Sequence, residues 1–198
     1  DEYTWVSCAN GCGDGDGTFE YVRSFPVGAT IPAGGTWTWC NSQMEAETMC
    51  TDAGADPATC CDLAEPYPVA SWNGDDAQGL IKGAFADKDA ATAAYAACPA
   101  LLVDQIGSFS EADPGSFWPI CGSVNMDTRN GRMFRMADTC VGSGSSDAEF
   151  LADFSGECSW GEDEGHVETG VTAWPPAPAP PAVDCIEDTA ATSACTAC

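Results

Sequence analysis

Basic residues are what this sequence lacks. It has 31 acidic residues against 6 Lys and Arg and one histidine, His166, for a formal net charge of −25. Such a surface repels nucleic acid and anionic lipid, which excludes DNA and RNA as partners. One histidine cannot build the two- or three-histidine site of a catalytic zinc. It also excludes any Ser-His or Cys-His nucleophile system that does not use His166 itself. No Gly-x-Ser-x-Gly elbow, phosphate-binding loop or dinucleotide fingerprint occurs. No stretch of about 18 apolar residues occurs, so no membrane-spanning helix is expected. Asn10, Asn41, Asn73, Asn125 and Asn130 all fail the Asn-x-Ser/Thr pattern, so N-linked sugar is not expected. O-linked sugar on the Pro-, Ser- and Thr-rich segments stays open. The chain opens on Asp1 with no Met and no basic-then-apolar leader, which fits a mature chain whose signal peptide is gone.

What is present in excess is cysteine, 13 in 198 residues. Cytosolic thiols are kept reduced, so this number points to a secreted, oxidised protein. Hydrophobic residues make up 44%, enough for a core that the bridges reinforce. Thirteen is odd, so one cysteine is left for another chain or stays a free thiol. Ten cysteines lie between Cys8 and Cys158, and the other three, Cys185, Cys195 and Cys198, lie in a tail. Cys195-x-x-Cys198 has the spacing of a redox pair, but no helix start follows to lower a thiol pKa. A structural bridge is the expected use.

The pattern predicts an α+β, disulfide-rich, mainly β body. Tyr3–Val6, Thr18–Val22 and Thr36–Trp39 are rich in aromatic and β-branched residues and read as strands. Short helices are expected within residues 42–106: one capped by Ser42, with Glu45 as its capping-box partner, one opening at Asp56-Pro57, and one from Ala84 to Ala97 before Pro99. Residues 100–106 form a further short apolar segment. Asn130-Gly131 lies between two alternating runs from Val124 to Asp138, which predicts a tight hairpin. Ser146–Phe154 reads as a short helix or turn, and His166–Trp174 as a strand. The organisation expected is a body at 1–174 with a helical insertion at 42–106, a Pro-rich extended arm at 175–182, and a Cys-rich tail at 183–198. Pro175-Pro176-Ala177-Pro178-Ala179-Pro180-Pro181 lacks most backbone donors and favours a polyproline conformation. It serves either as a linker or as a semi-rigid arm that carries the tail onto a neighbouring surface.

Several constellations are candidates for function. Asp14, Asp16 and Glu20 resemble part of a calcium loop, but the sixth and twelfth positions hold Phe19 and Phe25, so an EF-hand fails. An irregular calcium site and an ordinary acidic turn remain as alternatives. No other cofactor is indicated. Arg129, Arg132 and Arg135 form a positive spot that can pair with internal carboxylates or dock an acidic surface of another copy. The second option would propagate head to tail as a filament. Trp37 and Trp39 alternate and so share a face. With Trp174 they are candidates for stacking on sugar, although tryptophan is also an ordinary core residue.

Cys121-Gly122, Thr128, Gly131 and Phe134-Arg135-Met136-Ala137-Asp138-Thr139-Cys140 together resemble the middle of a barwin/expansin-type double-psi β-barrel. Ser143–Phe150 is similar to that family's next loop and short helix. Gly165–Trp174 and Val183-Asp184-Cys185 are similar to its last strand. Val124 stands where the family has a second cysteine. The resemblance covers residues 117–185. It implies a barrel-like body, polysaccharide binding or wall loosening, and Asp138 and Asp147 as polar residues near the groove. It also implies that Cys185 closes onto the body, which takes a partner from a body cysteine.

Three functions follow as expectations. The first is a secreted extracellular structural protein that self-associates through the tail and disulfides. The second is a non-catalytic module that binds extracellular polysaccharide. The third is a polysaccharide hydrolase using Asp138 and Asp147 as paired carboxylates.

Overall fold

The computed structural model describes residues 2–12, 15–32, 37–41, 61–65, 72–121, 128–129, 132–135 and 160–163. They are mainly strand, with one α-helix and disulfides. The expected helix at 42–49, residues 56–60 of the one opening at Asp56-Pro57 and carrying Cys60 and Cys61, the Asn130-Gly131 turn, and the expected elements at 146–154 and 166–174 lie outside the described residues. So do the proline arm and the tail. Cys61 itself is not helical.

The centre is a four-stranded antiparallel sheet. Its strands are β1 (Tyr3–Cys8), β2 (Tyr21–Ser24), β5 (Ala77–Lys82) and β6 (Leu102–Ile106), in the order β2-β1-β5-β6. β1 alternates: Thr4, Val6 and Cys8 are buried on one face, while Tyr3 and Trp5 on the other are half-buried. β5 alternates likewise, with Ala77, Gly79 and Ile81 buried. Trp5 stands opposite Arg23 on β2 and Leu80 on β5.

The buried face packs on helix α1 (Lys88–Ala97) and the loop after β6. Val6, Cys8, Phe19, Ala77, Ile81, Ala91, Leu102 and Phe109 form the core, flanked by Val22, Phe85 and Tyr95. Phe19 meets Phe109 edge-on at 5.1 Å and Tyr95 at 5.3 Å, favourable aromatic geometries. Gly79 is required here, because a Cβ would lie 2.8 Å from both Leu102 and Phe109.

The helix is shorter than its alanine content predicts. Asp87 caps it by accepting the Ala90 N–H at 2.9 Å, so Ala84–Ala86 stay outside and Phe85 turns onto the core. Pro99–Leu101 form one 3₁₀ turn that leads directly into β6. Thus residues 42–106, expected to carry short helices, also supply two strands of the central sheet. The expected strand at Thr18–Val22 begins three residues late. Phe19 goes into the core, and its N–H donates to Thr92 Oγ1 before sheet pairing starts.

β3 (Trp39–Asn41) and β4 (Leu63–Glu65) form a parallel pair, and β7 (Arg132–Arg135) and β8 (Trp160–Asp163) an antiparallel one. Disulfides close the Cys8–Cys12 turn and clamp β3 to the entry of β4 through Cys40–Cys61. Cys98 and Cys121 are disulfide-bonded as well. No helix among the described residues is long and apolar enough to cross a membrane.

Candidate functional site

The sheet face opposite the helix is aromatic. Trp5 projects from it by strand alternation, and Trp39 packs on Trp5 at 5.6 Å. Trp72 approaches Trp5 at 6.5 Å and remains 50% exposed. Phe25, just after β2, meets Trp37 at 5.4 Å and Trp39 at 5.5 Å, both edge-on. The shared face read from Trp37 and Trp39 is therefore turned onto Phe25. The Nε1 atoms of both tryptophans are buried and have no hydrogen-bond partner among the described residues.

Phe25 also begins a second feature. Ala29 N–H donates to Pro26 O at 2.9 Å, with Gly28 at φ +84°, the conformation of a type II turn. That turn holds Val27 wholly in solvent, and Ile31 beyond it is 51% exposed. Between the turn and the sheet runs a groove of about 500 Å³. Tyr3, Phe25, Val27, Ile31 and Leu80 line it, and Glu2 is the charged residue in its wall.

In the acidic turn the described carboxylates meet backbone donors. Asp16 accepts the Thr18 N–H at 2.8 Å, and that bond holds its carboxyl below the usual carboxylate range. Glu20 accepts the Ala9 N–H at 2.7 Å. Each carboxylate serves a backbone donor, and Asp14 lies outside the described residues. Among the described residues no three His, Cys, Asp or Glu side chains gather where they could hold a metal ion.

Arg129 lies over the Phe117 ring at 4.5 Å, a cation–π contact. Arg132 and Arg135 sit on β7, in register with Asp163 and Trp160. Of the three arginines, Arg129 thus stacks on a ring, and Arg132 and Arg135 belong to a paired strand. Trp174, Asp138, Asp147, Cys185, Cys195 and Cys198 lie outside the described residues.

One group was missed in the sequence. Asp75 and Asp76 are both buried. Asp76 accepts the Asn10 N–H at 2.9 Å and the Asn73 N–H at 3.0 Å. Burial pushes its carboxyl above the usual range, against those two bonds, with Asp75 and Glu20 adding to the rise. Asp76 thereby joins the Cys8–Cys12 turn to the segment carrying Trp72. The Asn73-Gly74-Asp75-Asp76 run is a turn signal that could have drawn attention to it. Asp75 O accepts Gly11 N–H and Trp118 Nε1–H, which brings the start of the 117–121 segment onto the same corner.

Comparison with protein families, with curated proteins and with solved structures finds no match.

Proposed function

We propose that the chain is a secreted structural protein of the extracellular space, stapled by disulfides and joined to copies of itself. One observation carries the reading. Cys8, Cys12, Cys40, Cys61, Cys98 and Cys121 are all disulfide-bonded, a state that an oxidising compartment maintains. Thirteen cysteines then leave at least one without a partner in its own chain, available for a bond between chains. The tail cysteines, Cys185, Cys195 and Cys198, are the candidates for it. Electrophoresis with and without reductant, beside thiol titration, tests this. A reductant-sensitive oligomer is expected. A monomer in both lanes with its thiol still titratable would remove the covalent join.

The aromatic face supports a second reading, a module that binds extracellular polysaccharide. Trp72 is half exposed above Trp5, and an exposed indole is the group that stacks on a sugar ring. The barwin/expansin-type resemblance of residues 117–185, with its barrel-like body, implies the same ligand class. Pull-down on cellulose and chitin, with Trp72→Ala as control, tests it. Loss of binding in the variant is expected, and no binding by the parent would end this reading. Cleavage that survives changing both Asp138 and Asp147 to Asn would remove the hydrolase version.

A further inference from the structure

In a chain with a net charge of −25, contact between copies is least opposed where charge is absent from both surfaces. The longest stretch free of Asp, Glu, Lys, Arg and His is Ser24–Met44. It supplies most of the groove wall, the Pro26–Ala29 turn and Trp37 and Trp39. The next longest is Thr169–Val183, which contains the proline arm. We propose that the groove between the turn and the sheet is a polyproline site, and that its occupant is the Trp174–Pro181 arm of a second copy. This rests on the self-association proposed above and names its non-covalent contact.

The chemistry of the two surfaces matches. Proline-rich segments dock in grooves lined by aromatic rings, because a polyproline helix presents apolar ridges and is already extended before it binds. Tyr3 and Phe25 supply the rings, and Val27, Ile31 and Leu80 supply apolar walls. Val27 stands entirely in water at the tip of a turn, where a polar residue would serve the turn equally well. Docking would cover it. Little conformational freedom is lost, because proline restricts the arm and the turn restricts the groove.

Sedimentation of the full chain carrying Cys185→Ser, Cys195→Ser and Cys198→Ser, over a concentration series, tests the contact apart from the covalent join and leaves the body bridges closed. A synthetic peptide of residues 169–183, labelled at its end for anisotropy, is titrated in parallel. Val27→Asp and Ile31→Asp change exposed side chains, and a cooperative unfolding transition checks that both variants fold. The proposal expects oligomers that the peptide dissolves, and at least a tenfold weaker association for each variant. Oligomers indifferent to peptide and variants would leave self-association standing and overturn the groove. A monomer that binds the peptide one to one would put the chain's own arm in the groove and overturn the second copy. A monomer that does not bind the peptide would overturn both.

Discussion

Asp76 shows how one side chain organises this molecule. Its two oxygens hold backbone donors from Asn10 and Asn73, segments far apart in sequence. Asp76→Ala should destabilise the fold by about 2 kcal/mol, since charge-assisted hydrogen bonds are lost around a buried site. Urea unfolding measures this. The pH dependence has a definite sign. A carboxyl whose folded pKa is raised binds its proton more tightly when folded, so it lowers stability as pH rises from the ordinary value of 3.8 through the folded value. Stability difference curves for parent and Asp76→Asn should isolate that falling segment. A difference that rises with pH there would contradict the burial argument. Gly79→Ala tests the other face. Its methyl would meet Leu102 and Phe109 inside contact distance, so a loss of about 1–3 kcal/mol is expected from the thermal midpoint. The Asn73-Gly74 turn signal marks the neighbourhood of Asp76, but its burial among other acidic residues was not legible beforehand. Gly79 looks like any glycine until the strand pairing places its neighbours.

At the scale of elements, local chemistry was legible and long-range pairing was not. Tyr3–Val6 was recognisable as a strand because aromatic and β-branched residues alternate there. The helix end was recognisable from Pro99, but its start was hidden, because the alanines before Asp87 are as helix-favouring as those after it. Nothing local announces that Trp39–Asn41 pairs in parallel with Leu63–Glu65. That pairing is held by Thr38, which accepts from Asp62 and Leu63 and donates to the Asp62 carboxylate, and by the Cys40–Cys61 bridge. The bridge spans 21 residues, against 4 for Cys8–Cys12. Chain entropy assigns about 3 kcal/mol to the longer loop and about 2 kcal/mol to the shorter. Replacing Cys40 and Cys61 together by Ser should therefore lower stability more than the same change at Cys8 and Cys12. Denaturant midpoints of the two double variants decide the order.

For the whole molecule, charge dominates. With 31 acidic and 6 basic residues, self-repulsion opposes the compact state and contact between copies alike. Raising salt from 0.1 to 1 M shortens the screening length from about 10 Å to about 3 Å. The melting midpoint and the degree of association should both rise over that range, and a flat response in both would mean that repulsion is already offset. The candidate site was half legible. The paired tryptophans were recognisable from their alternation. The groove was not, because it exists only where the Pro26–Ala29 turn folds back over Tyr3 and Leu80. The central position of β1 has a consequence in time. Thr4 bonds to Gly83, 79 residues on, and β1 pairs with β5 along its whole length. At about 5–20 residues per second of synthesis, β1 waits roughly 4–16 s for that partner. Among the described strands β1 thus waits longest for a partner, and an open strand edge is exposed meanwhile. A nascent chain of this protein needs a companion, or speed, before it needs any of its bridges.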